Sequence, residues 1–236
     1  MSGIKALLFD VFGTVVDWRT SLIDNFTAWG KAKGIAGDWT ALVDAWRGAY
    51  MPSMDEVRKH PERGFVILDD LQRQSIEPLT AKLGIKGLTP DDYDYLTRGW
   101  HSLNPWADSV GGLTRLKSRF IIGPLSNGNV ALLTNMAKHA GLPWDLVLSA
   151  EIFRHYKPDR EAYLGSAKIL GLQPGQVMLV AAHNNDLDAA QKCGLKTAFV
   201  ARPTEYGPHQ NRDFKAEGNW DYVAKDFNDL ADKLGC

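Results

Sequence analysis

The sequence predicts an α/β protein, a doubly wound parallel sheet interrupted by a block of helices, and three observations carry that reading. Through the second half of the chain short apolar runs alternate with helical patterns, as strand–helix–strand units of one parallel sheet do. A similar apolar run stands alone near the start, at residues 4–9. Between the two, from about residue 20 to residue 99, apolar residues recur only at helical spacing.

The elements follow in order. Residues 4–9 are apolar on both faces and end in Asp10, which suits a strand buried in a parallel sheet with its polar residue at the carboxyl end. Helical spacing then marks residues 22–32, 41–50, 66–83 and 91–100, separated by Gly- and Pro-containing breaks at 34–37 and 84–90. After Pro105 and Trp106 the alternation resumes: helix 110–117, strand 120–125, helix 130–140, strand 146–149, helix 161–170, strand 177–181, helix 187–194, strand 197–200. A surface helix at 227–234 ends the chain. The division expected is a sheet core of residues 1–16 and 104–236 with a helical cap of residues 17–103 inserted into it.

Composition narrows the function. The chain has 236 residues, 44% hydrophobic and 23% charged, enough for a substantial core. Lys+Arg of 27 against Asp+Glu of 28 leaves a net charge of −1, with no charge run to hold nucleic acid or an anionic membrane. Cys193 and Cys236 lie far apart and outside any metal-ligand spacing, so neither a disulfide framework nor a zinc site is expected. No apolar stretch of about 18 residues suggests a membrane span, and the start shows no signal-peptide pattern. A cytoplasmic protein is the expectation.

Ligands of such sheets bind beyond the carboxyl ends of the strands. Four of those ends carry polar clusters: Asp10-Val11-Phe12-Gly13-Thr14, Ser126-Asn127-Gly128-Asn129, His155-Tyr156-Lys157-Pro158-Asp159 and His183-Asn184-Asn185-Asp186. Taken singly each has a plain reading: Asp10 or Asp186 as a cap, Ser126 as a cap of the 130 helix, Lys157 and Arg47 as surface cations, Tyr163 as core. Their combination is far more specific. With the helical insertion it resembles the haloacid dehalogenase superfamily over essentially the whole chain, which implies a Rossmann-like core closed by the cap. LFDVFGT around Asp10, Trp46-Arg47 in the second cap segment, and Leu-Ser-Asn-Gly at 125–128 are most similar to the type II L-2-haloacid dehalogenases.

That resemblance implies a role for each matching residue. Asp10 is the nucleophile that displaces halide from C2, forming an aspartyl ester that splits one hard displacement into two easier steps. Thr14, Ser126 and Lys157 hold Asp10 and the substrate carboxylate, with Lys157 supplying the charge that keeps a buried carboxylate ionised. Arg47 and Asn127 cradle the departing halide. Tyr163 matches a supporting tyrosine one turn beyond the lysine, and Asp186 positions the water that cleaves the ester. Val11, Phe12, Trp18 and Tyr50 are expected around the substrate, Trp18 and Tyr50 as the cap aromatics nearest the site. Neither metal nor other cofactor is implied. The expected partners are a small 2-haloacid and water, not nucleic acid or membrane, and related enzymes are often homodimers.

Two departures bear on substrate. Ala181 and His183 stand where the well-known members have Ser and Asn, and Phe12 replaces their tyrosine. His183 has three open readings: positioning water with Asp186, donating to halide (which suits fluoride and brings fluoroacetate into the expected range), or serving structure alone. Three other functions compete. A phosphatase of the same superfamily places a second acid where this chain has Phe12; a ring-opening hydrolase of the azetidine-2-carboxylate type keeps the nucleophile; a silent binding module has no use for Asp10, Thr14, Ser126, Lys157 and Asp186 together.

Overall fold

The computed structural model describes residues 3–236, apart from the side chain of His209. The chain enters as β1 (Ala6–Phe9), fully buried on both faces as its apolar run requires. It then turns at Gly13, whose φ of 89° suits glycine alone. The two-residue β2 (Val16–Asp17) follows and pairs antiparallel with β3 (Asn104–Pro105). Only helices lie between these two strands: α1 (Trp18–Lys33), α2 (Trp39–Lys59), α3 (Leu68–Lys82) and α4 (Pro90–Arg98), with single 3₁₀ turns at Pro61–Arg63 and Gly99–Ser102. The ribbon brings both ends of the helical block side by side at the margin of the sheet.

Local chemistry explains the helix starts. The side chains of Asp17 and Asp38 accept backbone N–H groups at the heads of α1 and α2, and Thr89 with Asp92 forms a capping box for α4. One boundary departs from expectation. Pro52 reads as a stop after residue 50, yet α2 runs on to Lys59 with Pro52 inside it. Packing of α2 against α3 and the sheet core outweighs the hydrogen bond that the proline forgoes.

The core continues with α5 (Ser109–Lys117), β4 (Ile121–Ser126), α6 (Val130–Ala140), β5 (Leu148–Ser149), α7 (Ala150–Phe153) and α8 (Arg160–Ile169). It ends with β6 (Val177–Ala181), α9 (Asn184–Lys192), β7 (Lys196–Val200), β8 (Tyr222–Ala224) and α10 (Phe227–Leu234). The six core strands run parallel in the order β5-β4-β1-β6-β7-β8, so β1 lies between β4 and β6. β8 escapes the sequence because it is three residues long and partly exposed at the sheet edge. α9 starts at Asn184 rather than at 187, so Asp186 is in its first turn and His183 takes the cap position.

Alternation along β1 sends Leu7 and Phe9 to one face and Ala6 and Leu8 to the other, building a layer of core on each side. The first layer continues into the cap through Val16, Trp18, Trp46 and Trp100. Those three tryptophans are at most 1% exposed, and trimming any of them to alanine costs about 3–5 kcal/mol. No helix among the described residues is long and apolar enough to cross a membrane.

Candidate active site

Because β1, β4 and β6 are adjacent and parallel, their carboxyl ends bring Asp10, Ser126 and the His183 loop to one rim of the sheet. Asp10 is 8% exposed and both its oxygens are engaged. Oδ2 accepts the Thr14 hydroxyl at 2.7 Å and faces His183 Nδ1 at 3.0 Å. Thr14 is aimed by Ala182, whose N–H donates to Thr14 Oγ1 at 2.9 Å and leaves the hydroxyl proton for Asp10. Oδ1 accepts from Lys157 Nζ at 3.0 Å and has no other partner among the described residues. Burial by itself raises the Asp10 carboxyl, but the Lys157 ammonium and His183 outweigh it and hold the group well below the usual carboxylate range.

Lys157 bridges two carboxylates, donating to Asp10 and to Asp186 Oδ2. Burial opposes its charge, yet Asp10 and Asp186 raise it above the usual lysine value, so it is an ammonium at neutral pH. The other oxygen of Asp186 accepts the Tyr163 hydroxyl at 2.6 Å. Burial and then Asp186 push that phenol upward, so it remains a donor. The Lys157 backbone is clamped twice. Asn127 Oδ1 accepts its N–H at 2.6 Å while Asn127 Nδ2 donates to its carbonyl at 3.2 Å. Arg58, at the far end of α2, donates to the carbonyls of Tyr156 and Lys157 and to Asp159.

The inserted helical block adds Arg47 and Tyr50 above the rim. A cavity of about 420 Å³ is lined by Asp10, Phe12, Arg47, Tyr50, Asn127, Lys157, Tyr163, His183 and Asp186, together with the loop bearing Tyr206 and Arg212. Phe12 packs edge-on against Tyr50 and Trp100 and forms an apolar wall. The Arg47 guanidinium lies 4.4 Å from the Tyr50 ring and 5.2 Å from the Trp18 ring, and its Nη1 is buried without a hydrogen-bond partner among the described residues. A buried cationic donor left unpaired in the cavity that Asp10 also lines is a ready place for an anion.

Most residues expected at the site converge there, with two exceptions in position. The Val11 side chain points into the core, and its carbonyl is taken by the Val15 and Val16 N–H groups. Trp18 stands behind the wall, 1% exposed, supporting Arg47 rather than lining the cavity. Ser126 does not cap α6, whose cap position is Asn129; its Oγ accepts the Gly128 N–H within the turn. Asp188 faces away, paired with Lys192. His183 is committed on both sides, with Nδ1 to Asp10 and Nε2 to Glu205, so no ring nitrogen is spare for a halide.

Glu205 and Arg58 were not foreseen. Glu205 is 1% exposed and lies five residues beyond the last residue of β7, at the same rim as the four clusters. Its strand-end position was the available signal, but no motif surrounds it. Arg58 lay past the expected end of its helix.

A buried, ionised carboxylate at the strand ends of this fold suits hydrolytic chemistry, and comparison with known proteins places the chain in a hydrolase family. A profile of the haloacid dehalogenase-like hydrolases matches residues 4–194. Solved structures of a defluorinating L-2-haloacid dehalogenase and of a further L-2-haloacid dehalogenase are each 48% identical, with TM-scores of 0.95. The first match covers 99% of this chain and 96% of that one, the second 98% and 99%. The (S)-2-haloacid dehalogenase 4A of Burkholderia cepacia is 28% identical over 98% of this chain and 100% of its own. The chain belongs to the haloacid dehalogenase-like hydrolases, grouped there with the L-2-haloacid dehalogenases.

Proposed function

We propose that the protein hydrolyses short L-2-haloalkanoic acids to D-2-hydroxy acids and halide through an ester on Asp10, without a metal or other cofactor. The observation that carries this is an ionised, buried Asp10 lining the same cavity as the unpaired Arg47 donor. Oδ2 already holds two donors, so Oδ1, with Lys157 alone, is the oxygen free to attack. Its electron pair forms the bond to C2 while the carbon–halogen pair leaves with the halide toward Arg47. A single displacement inverts C2. Water then attacks Cγ, its proton passing to Asp186, whose oxygens each keep a free acceptor site beside Lys157 and Tyr163.

Metal independence is supported by Lys157, whose ammonium lies between the two carboxylates that would otherwise face a cation. Phe12 stands where the phosphatases of the superfamily carry their second acid. The cap, residues 17–103, supplies the wall that excludes bulk water. Fluoroacetate belongs in the substrate range by analogy with the defluorinating relative at 48% identity. Two unpaired cysteines suit the reducing cytoplasm, where we place the enzyme.

Halide release from fluoro-, chloro- and bromoacetate and from both 2-chloropropionate enantiomers tests the reading. The expected pattern is turnover of the L enantiomer with inversion, unchanged after dialysis against chelator, and label from heavy-oxygen water entering Asp10 in one turnover. Retention at C2, or activity that disappears with chelator and returns with magnesium, refutes it.

A further inference from the structure

Glu205 is a buried acid that the mechanism so far leaves without a task. Its carboxylate faces His183 Nε2 at 2.9 and 3.1 Å, accepts the Trp18 indole N–H at 3.0 Å and lies 3.9 Å from Arg47 Nη2. Gly13 makes room for it, since a Cβ on that residue would meet Oε1 at 2.1 Å. On the opposite side of the ring, Nδ1 is 3.0 Å from Asp10 Oδ2. An imidazole between two carboxylates satisfies both only when each nitrogen carries a proton; a neutral ring turns a lone pair on one of them. Among the described residues Asp10 and Glu205 are the carboxylates at salt-bridge distance from this ring. The other charges nearby act through them: Lys157 on the far oxygen of Asp10, Asp186 beyond Lys157, Arg47 beyond Glu205. Arg212, Asp213 and Glu217 line the outer part of the cavity.

We propose that Glu205 is a positioning residue that keeps His183 doubly protonated with Nδ1–H on Asp10 Oδ2, so that His183 and Thr14 form the oxyanion hole for cleavage of the Asp10 ester. The inference rests on the ester mechanism above. Once Oδ1 has bonded C2, Oδ2 is the ester carbonyl oxygen. Water adding to Cγ drives the carbonyl π pair onto Oδ2, where the Thr14 hydroxyl and His183 Nδ1–H converge. The pair then returns and the Cγ–Oδ1 bond breaks; Oδ1 takes the proton held by Asp186 and departs as the hydroxyl of the hydroxy acid, while the water oxygen stays in Asp10, which releases its remaining proton to solvent as it returns to a carboxylate. Glu205 matters most in this second half. Esterification removes the charge of Asp10, leaving Glu205 as the sole anion that holds the proton on the ring. Burial lowers His183, but Glu205 and Asp10 together raise it well above the ordinary histidine value.

Glu205→Gln separates the two half-reactions. Its expected behaviour is a burst of about one halide per active site, then turnover slowed by roughly 10²–10³-fold, the loss typical of one oxyanion donor. The ester accumulates on Asp10, visible by intact mass, the alkaline limb of the pH–rate profile moves to lower pH, and Glu205→Asp restores part of the rate. Equal loss of burst and turnover with no adduct overturns the proposal. NMR titration of His183 in the unmutated, substrate-free protein decides the protonation claim even where the variant fails to fold. A midpoint more than one pH unit above 6.5 supports it, and an ordinary midpoint overturns it. That readout needs no substrate, so absence of any halide release refutes the dehalogenase reading without deciding the His183 titration.

Discussion

Lys157 shows how much one residue can carry. It is 6% exposed, its ammonium serves Asp10 and Asp186, and its backbone is gripped by Asn127 and Arg58. Removing the cation leaves two buried carboxylates without the ammonium they share, a change worth roughly 3–5 kcal/mol in buried ion pairs. Lys157→Met is therefore expected to destabilise the fold by about that amount at pH 7 in denaturant unfolding. Part of the loss returns near pH 4, where the two acids can share a proton. A deficit that is the same at both pH values contradicts the account. Residues of this kind were legible because their roles travel with a local motif: Asp10 with Thr14, Lys157 with Pro158, Asp186 after a strand. Glu205 was not, because its partner Trp18 lies 187 residues away and nothing local marks an acid as buried. Val11 and Trp18 show the converse, since a motif gives proximity and not which way a side chain faces.

At the scale of elements, α2 is the working part of the cap. It presents Arg47 and Tyr50 to the cavity, and three turns further on it places Arg58 on the loop that carries Lys157. One helix thus ties the cavity wall to the position of the Lys157 ammonium. A guanidinium reaches several acceptors at once, which an ammonium cannot reproduce. Arg58→Ala is expected to lower kcat by about tenfold, since small misplacements of reacting groups cost at least that much. Arg58→Lys should recover less than half of the loss. Wild-type kcat in the alanine variant defeats the coupling. The sequence revealed four cap helices and the strand–helix alternation of the core. It hid the far half of α2 behind Pro52 and the edge strand β8 behind its shortness, because tertiary packing settles both.

Across the whole molecule, a net charge of −1 means that no broad field draws an anionic substrate in, so the charges that matter are the few buried at the rim. Those same charges set how stability depends on pH. Asp10, Glu205 and Asp108 have carboxyls lowered by their partners despite burial, so their contribution is present above the ordinary value of about 4. It is lost as pH falls through the lowered values. His183 works in the opposite direction: its folded value is raised, so its contribution is complete below about 6.5 and disappears as pH rises through the folded value. Lys157 is also raised and gives way only in stronger alkali. The expected profile of Tm is a plateau between about pH 5 and 6.5, then a decline through the alkaline range that begins with His183 well before any lysine titrates. His183→Asn takes the ionisable group out of the balance and should flatten that decline above pH 7, whatever it does to the plateau. Thermal melts of both proteins from pH 5 to 10 check this. A wild-type Tm that is level to pH 10, or two curves that fall in parallel, shows that the ring is not held as a cation between Asp10 and Glu205.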